Sequence, residues 1–340
     1  MTQNISATLA PNPAALISLP EPVRENISRA NTSQHPILAT IQAIFQKIID
    51  QLLVVGKIIK TTFEVIFSCH RVQVRQLSSD AEQQEAQSQI VALERKAVYP
   101  LGPSESFVID HGRDYFAFFK RLGELHYFTA TENGQLAGVG AGILRDIPLQ
   151  RGQPPQKAWY LCDLKIDPEF RGHHIPMHIF ARAAWHAFKC SRGYAISMNP
   201  ATGENRMAKM FKRYSWLSVS EPKTLALFSC NQVEMRQLKP ILERHRGPVS
   251  FLSLQGKKDL ILQSTGRPMP LLHAQFGPCR AEQPTCDEPQ EGYTHMFCTA
   301  TADPLYTELT SQNVAPAATA SIISRGMDSS DWSFILTSDI

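Results

Sequence analysis

Arg171, Gly172, His173 and His174 stand together between an apolar run and an amphipathic run of the chain. Arginine and imidazole side chains can donate hydrogen bonds to an anion, and glycine lets the backbone approach closely. The first N–H groups of a helix have no partner within it and lie at the positive end of its dipole. If a helix begins here, the residues predict a phosphate or other anion site. An ordinary polar surface loop is the alternative.

The run before this loop, WYLCDLKI at 159–166, alternates as a β-strand does. Pro168 should end the strand because proline has no N–H to donate to a neighbour. The residues expected on one face are Tyr160, Cys162, Leu164 and Ile166. Those expected on the other are Leu161, Asp163 and Lys165. The strand would therefore deliver the chain directly into the anion-binding loop.

The run after the loop, 175–192, predicts a long amphipathic helix that ends at Gly193. Its apolar residues recur three and four positions apart: Met177, Phe180, Ala181, Ala184 and Phe188. We expect this stripe to face the sheet. Strand, loop and helix then form the element that positions the anion site.

The segment LKIDPEFRGHHIP resembles the pyrophosphate-binding motif of GNAT-type acyltransferases, in which a bulged strand precedes Arg/Gln-x-x-Gly-x-Gly/Ala and a helix. Arg171 matches the arginine of that motif, and Gly172 a glycine often found beside it. The two motif glycines are replaced by His174 and Pro176. Histidine adds a Cβ and proline removes a donor. One lost charge-assisted hydrogen bond costs ~1.5–3 kcal/mol, so weakened cofactor binding is expected.

The predicted order of elements, β-α-α-β-β-β-α-β-α-β-β over 71–254, is also that of the GNAT fold: an α/β class with a mixed, mostly antiparallel sheet flanked by helices. Ser79 predicts one helix start, Asn133-Gly134 a hairpin turn, and Gly138, Gly140 and Gly142 close packing by a helix. Around this domain we expect a disordered segment 1–36, an amphipathic helical extension 37–68, a C-terminal extension 255–298 and a flexible tail 299–340.

The resemblance implies acetyl-CoA or another acyl-CoA as co-substrate. The backbone of Leu164, Lys165 and Ile166 would hold the pantetheine, and the turn from Arg171 through His173, His174 and Ile175 to Pro176 would hold the phosphates. Asp163 is the candidate for removing a proton from the acceptor amine, because a carboxylate in an apolar strand should have a raised pKa. Pairing of Asp163 with Lys165 on the same face is the alternative.

Two asparagines and a tyrosine complete the candidate site. Asn199 and Asn205 lie where GNAT relatives often contact the cofactor, with turn and helix-cap chemistry as the alternative. Phe211 occupies the position where the family frequently has a tyrosine general acid. Tyr214, one turn on, is the local substitute, with core packing as the alternative.

Composition narrows the classes of function. A net charge of +3 and the lack of a phosphate-loop or paired zinc-type cysteine motif argue against a nucleic-acid partner and against a metal. Seven scattered cysteines suit a reducing compartment. The sequence has no signal-peptide pattern and no long apolar run, so we expect a cytoplasmic protein. Residues 37–67 could instead contact a membrane surface or a second copy, which would make it membrane-peripheral.

These observations favour an N-acyltransferase that moves an acetyl or longer acyl group from acyl-CoA to an amine. Two alternatives stay open: a GNAT-fold binding or scaffold protein with impaired catalysis, and a membrane-surface long-chain N-acyltransferase.

Overall fold

The computed structural model describes residues 72–101, 105–200, 204–213, 219–277 and 282–340. The segments 1–36 and 37–68 and the candidate Tyr214 lie outside the described residues. The helices are α1 Asp80–Glu94, α2 Ala117–Lys120, α3 Ile175–Ala183, α4 Arg206–Arg213, α5 Gln232–Arg246 and α6 Pro304–Ser311. The strands are β1 Val72–Leu77, β2 Tyr99–Leu101, β3 Glu105–Asp110, β4 Glu124–Glu132, β5 Gln135–Ile147, β6 Gln156–Ile166, β7 Gly193–Met198, β8 Lys223–Cys230, β9 Val249–Leu252, β10 Asp259–Leu262, β11 Leu271–Phe276, β12 Thr294–Ala300 and β13 Ala318–Arg325.

Ten strands form one sheet in the order β1-β4-β5-β6-β7-β13-β8-β12-β11-β9, and β10-β3-β2 form a small second sheet. Most neighbours are antiparallel, while β6 with β7 and β11 with β12 are parallel. This is the mixed α/β class that the sequence predicts. Large aromatic and aliphatic side chains on both faces of the sheet make up the core.

In the large sheet, the four strands on one side of the boundary between β13 and β8 repeat, in mirror order, the pairing pattern of the four strands on the other side. On one side the order is β5-β6-β7-β13, with only β6 and β7 parallel. On the other side it is β9-β11-β12-β8, with only β11 and β12 parallel. Helix α4 connects β7 to β8, and α6 connects β12 to β13. Strand β13, which follows α6, therefore lies beside β7 of the first half. Strand β8, which follows α4, lies beside β12 of the second half.

Several local predictions are confirmed. Ser79 caps α1 in a capping box with Glu82, and Asn133 and Gly134 form the turn between β4 and β5 with φ values of 52° and 81°. A Cβ on Gly138 would lie 2.9 Å from Ile175 of α3, and one on Gly140 would lie 3.3 Å from Ile179. Close helix packing therefore explains these two glycines, but the same prediction is wrong for Gly142, whose Cβ would meet the side chains of Trp159 and Leu161 in β6.

Residues 299–340 are not a flexible tail. Strand β13 pairs with both β7 and β8 in the middle of the sheet. Beyond it, Trp332, Phe334, Ile335 and Leu336 are buried. The alanines, serines and threonines of this region are the small side chains of a central strand, which local composition cannot distinguish from a mobile segment. The predicted domain end at 254 is equally wrong, because β9 lies at the far edge of the sheet and β13 takes the place beside β7.

The helix predicted for 175–192 is shorter than expected. Helix α3 ends at Ala183, and residues Ala184–Phe188 form a 3-10 helix. The buried residues of α3 are Ile175, Met177 and Ile179, whereas Phe188 is 84% exposed. The predicted stripe already fails within α3, where Ala181 is exposed and Ile175 and Ile179, not Phe180 and Ala181, meet the glycines of β5.

Candidate functional site

Strands β6 and β7 part after a short parallel contact. Only three residue pairs join them: Trp159 with Gly193, Tyr160 with Tyr194 and Leu161 with Ala195. Beyond Leu161, β6 continues to Ile166 with β5 on one side, and among the described strands none pairs with its other side. The result is a wedge in the sheet in which the backbone N–H and C=O groups of residues 162–166 can pair with an extended ligand.

A β-bulge lies in β6 at the start of the wedge. Asp163 and Leu164 together oppose the single residue Gly140, and Asp163 has φ 54°. The bulge reverses the alternation of the strand. Cys162 packs with Tyr160 in one core cluster, whereas Leu164 and Ile166 pack in the cluster beneath α3. The prediction that these four side chains share one face is therefore wrong.

The anion-binding loop follows β6 directly. Asp167 caps a short 3-10 turn, Pro168–Phe170, and its carboxylate binds the ammonium of Lys96 at 2.6 Å. Gly172 has φ 92° with open space where a Cβ would stand. Arg171, the predicted phosphate ligand, is an exposed residue of this loop. The loop thus ends at the start of α3, as predicted.

His174 is the N-cap of α3 in the left-handed conformation, with φ 56° and ψ 23°. Histidine is among the residues that adopt this region more readily than most. Pro176 follows in the first turn and offers no N–H, while Met177 N–H already bonds to the His174 carbonyl at 2.9 Å. Nδ1 of His173 lies 2.7 Å from the Glu132 carboxylate. The first turn therefore keeps the geometry of an anion site with fewer backbone donors than glycines would give.

The side chain of Asp163 lies on the face opposite α3 and is held by three donors. Tyr115 and Tyr127 donate to one carboxylate oxygen at 2.8 and 2.6 Å. The ammonium of Lys165 contacts the other oxygen. The alternative that pairs Asp163 with Lys165 is thus what the structure has. Both oxygens of the Asp163 carboxylate therefore have hydrogen-bond donors.

Glu94, at the end of α1, completes this buried cluster. Its Oε2 contacts the Lys165 ammonium and lies 3.0 Å from the Tyr115 hydroxyl oxygen, whose one proton goes to Asp163, and its Oε1 has no hydrogen-bond partner among the described residues. Two carboxylates share one ammonium, which leaves an excess negative charge. Burial raises the pKa of Glu94, and nearby Asp163 raises it further, although Lys165 opposes the shift. The surroundings of Glu94 therefore favour its protonated form.

His111 lies beside the cluster, with Nε2 3.9 Å from Glu94. Burial lowers the pKa of His111 to about 3, so the imidazole is neutral. Its Nδ1 lies 3.2 Å from the Lys257 carbonyl, which suits a donated hydrogen bond. Sequence reasoning missed both Glu94 and His111, because no spacing in the chain links them to Asp163.

The structure has the features that the GNAT resemblance implies: a bulged central strand, a turn that leads into a helix, and a parallel strand that parts from the first. The domain has the GNAT acyltransferase fold. No protein-family model matches the chain. An uncharacterized protein of Acanthamoeba polyphaga mimivirus is 24% identical over 235 residues, covering 67% of this chain and 68% of that protein.

Solved structures of GNAT proteins resemble the chain at low identity. A tandem GNAT protein from the clavulanic acid biosynthesis pathway is 11% identical, covering 75% of this chain and 98% of its own, with a TM-score of 0.40. A probable N-acyltransferase from Enterococcus faecalis is 8% identical, covering 75% and 72%, with a TM-score of 0.39. A predicted acetyltransferase from Clostridium acetobutylicum, solved with acetyl-CoA, is 16% identical, covering 42% and 88%, with a TM-score of 0.29.

The two asparagines that the GNAT resemblance pointed to have structural partners. Asn205 caps α4 by accepting from Met207 and Ala208 N–H at 3.0 and 3.1 Å, and its amide donates to Asn199 at 2.9 Å. Asn199 in turn donates to Thr319 of β13 at 3.0 Å. The cap chemistry that was the alternative is therefore present in Asn205, whereas the side chain of Asn199 joins Asn205 to β13.

The position at which the GNAT resemblance led us to look for a tyrosine is buried. Phe211 is 5% exposed and its ring lies 5.7 Å from that of Phe180, so α4 packs against α3 through these two aromatic rings. Phenylalanine has no proton to give to a thiolate.

Proposed function

We propose that the chain is an acyl-CoA-dependent N-acyltransferase that transfers an acetyl or longer acyl group to an amine. The observation that carries the proposal is the wedge between β6 and β7. The amide groups of pantetheine would pair with the open edge of β6 at Leu164, Lys165 and Ile166, as an added strand does. This would bring the thioester to the bulge at Asp163, where a backbone N–H could polarise its carbonyl.

The pyrophosphate would lie at the loop and the start of α3. Arg171 would supply the charge, and the imidazoles of His173 and His174 would replace part of the missing backbone donation. Ile175 N–H lies in the first turn, and Pro176 adds none. We therefore expect acyl-CoA to bind in the micromolar range rather than more tightly.

The acceptor amine must lose a proton, since an alkyl ammonium with a pKa of about 10.4 cannot attack a thioester. Asp163 was the sequence's candidate for this step. Both carboxylate oxygens of Asp163 already have donors, whereas Glu94 has a raised pKa and an Oε1 without a hydrogen-bond partner among the described residues, which suits it to take up a proton. We propose that the cluster of Glu94, Lys165 and Asp163 accepts the proton as a unit, with Glu94 as its site.

Calorimetric titration with acetyl-CoA and CoA tests the proposal. The Arg171→Ala variant should bind ten- to a hundredfold more weakly, since a charge-assisted hydrogen bond contributes ~1.5–3 kcal/mol. Arg182→Ala, which removes an exposed arginine near the end of α3, is the matched control and should bind as the parent does. No binding of acetyl-CoA, CoA or a long-chain acyl-CoA by the parent would contradict the proposal.

Two specific observations favour the alternative of a non-catalytic GNAT-fold binding protein: the added Cβ at His174 with the lost N–H at Pro176, and the phenylalanine at position 211. Acyl-CoA binding without transfer to any amine in a broad panel would favour it. For the membrane-surface alternative, residues 37–67 lie outside the described residues. Within the described part of the chain, no helix is long and apolar enough to cross a bilayer.

A further inference from the structure

The hydroxyl group of Tyr115 joins the two buried carboxylates of the cluster. Its oxygen lies 2.8 Å from Oδ2 of Asp163 and 3.0 Å from Oε2 of Glu94, and the Lys165 ammonium donates to it at 3.3 Å. A hydroxyl has one proton to donate and two lone pairs with which to accept. Since the proton goes to Asp163, the contact with Glu94 is favourable only when Glu94 carries a proton of its own. When Glu94 is an anion, the hydroxyl can turn and donate to it instead.

The ring of Tyr115 is fixed, whereas its hydroxyl hydrogen can turn. The side chain is fully buried, and its ring lies 4.6, 5.5 and 5.6 Å from those of His111, Phe116 and Phe119. Its backbone N–H donates to Gln87 of α1 at 3.2 Å. These contacts hold the hydroxyl oxygen between the two carboxylates. Rotation about the C–O bond then moves only the hydrogen, from one carboxylate to the other.

Lys165 also contacts both carboxylates, but it cannot pass a proton between them. Its ammonium contacts Oδ1 of Asp163 and Oε2 of Glu94. An ammonium has donors and no acceptor, so it would have to lose a proton before it could take one. Burial alone would lower the pKa of Lys165, but Asp163 and Glu94 raise it above its usual value. A hydroxyl, by contrast, can accept one proton while it donates another.

Asp163, not Glu94, is the carboxylate that belongs to the wedge. It is the bulge residue of β6, within the stretch 162–166 whose outer side no described strand pairs with. Glu94 lies at the end of α1, and its side chain is 3% exposed. A proton that leaves an amine in the wedge therefore meets Asp163 first and needs a path to reach Glu94. The Tyr115 hydroxyl supplies that path in two steps of 2.8 and 3.0 Å.

We propose that Tyr115 is a positioning residue that passes the acceptor's proton from Asp163 to Glu94; this inference rests on the proposed function. An N–H bond of the acceptor ammonium breaks, the nitrogen keeps the electron pair, and the proton binds Oδ2 of Asp163. Asp163 then gives that proton to the Tyr115 oxygen while Tyr115 gives its own to Oε2 of Glu94. Asp163 is again a carboxylate, Tyr115 is unchanged and Glu94 is a carboxylic acid. No oxidant, reductant or further reactant is required.

The first test is infrared spectroscopy of the full chain without substrate. Across a pH titration, the carbonyl stretch of a protonated carboxyl group that disappears in Glu94→Gln reports Glu94. Tyr115→Phe should shift this band to higher frequency, because the acid loses the oxygen to which it donates. Tyr127→Phe is the matched control and should leave the band in place, since the Tyr127 hydroxyl bonds to Asp163 at 2.6 Å and, among the described residues, to no other carboxylate. A band that Tyr115→Phe does not shift, or the absence of any band that Glu94→Gln removes, would overturn the inference.

The second test is transfer from acetyl-CoA to a panel of amines that includes lysine, spermidine and glucosamine, followed as release of the CoA thiol. Tyr115→Phe should lower kcat about a hundredfold, since a positioned proton transfer contributes ~10²–10⁴-fold, and Tyr127→Phe should lower it less than about tenfold. Tyr115→Phe combined with Glu94→Gln should lose no more than the more damaged single variant, because both interrupt one path. Losses that multiply would show that the two residues act separately and would refute the relay.

Calorimetry with acetyl-CoA separates this inference from the proposed function. The parent and both tyrosine variants should bind acetyl-CoA alike, which would also show that the variants are folded. Transfer by the parent at a rate that Tyr115→Phe leaves undiminished overturns the relay and leaves the acyltransferase proposal intact. Binding of acetyl-CoA without transfer to any amine of the panel, or no binding, contradicts both.

Discussion

Acid should destabilise this domain through His111. The side chain is 4% exposed and its ring lies among those of Tyr115, Phe118 and Phe119 at 4.6, 5.3 and 5.2 Å. The folded state lowers its pKa from 6.5 to about 3. Protons therefore bind the unfolded chain preferentially. The contribution of His111 to stability is complete above pH 6.5 and is lost as the pH falls toward 3.

With these two pKa values, linkage gives a loss of about 2 kcal/mol between pH 8 and pH 5 from His111 alone. His111→Phe should remove that part of the pH dependence. It should also lower stability at pH 8 by about 1 kcal/mol, because the hydrogen bond to Lys257 is lost. Urea unfolding of parent and variant at both pH values measures the difference.

Phe118→Leu is the control, since it disturbs the same ring cluster without changing a titratable group and should lower stability equally at pH 8 and pH 5. If the His111→Phe variant loses as much stability between pH 8 and pH 5 as the parent does, the imidazole is not held neutral and the reasoning fails.

Three further predictions concern packing. Gly138→Ala should cost ~1–3 kcal/mol in urea unfolding, because its Cβ would lie 2.8 Å from the Lys165 carbonyl, whereas Gly142→Ala, with 3.5 Å to its nearest atom, should cost less than about 1; equal losses would contradict this. His174→Gly should raise stability by roughly 0.5–1 kcal/mol, measured as melting temperature, because glycine adopts the left-handed conformation freely; a fall would show that its side chain stabilises the loop. Leu336→Ala should cost ~2–5 kcal/mol, and the exposed Val233→Ala less than about 0.5, both by thermal unfolding; a small effect at Leu336 would mean that the segment is not anchored.

Local chemistry explains which features could be predicted from the sequence. The cap at Ser79 and the Asn133-Gly134 turn depend on residues close together in the chain, and both were confirmed. The loop at Arg171 was predicted for the same reason. Strand and helix types follow from periodicity, which is a local property.

The features that were missed depend on contacts between distant segments. The bulge at Asp163 inserts one residue and reverses the faces of β6, which strict alternation cannot reveal. Glu94 joins the cluster only because α1 packs against this part of the sheet, and its position at the end of a helix gives no chemical signal. The serine- and alanine-rich strand β13 is central because two separate strands pair with it.

The positions of β8 and β13, each beside a strand of the other half of the sheet, affect how the protein folds during its synthesis. Strand β7 is complete at Met198, but its neighbour β13 ends at Arg325, so more than a hundred residues must leave the ribosome before this edge is paired. Until then β7 has an unpaired edge that faces solvent. Such an edge is a template for wrong strand pairing. Long-range pairings of this kind slow folding. The edge of β7 therefore stays unpaired until β13 has been synthesised, and the two halves of the sheet cannot be completed one after the other.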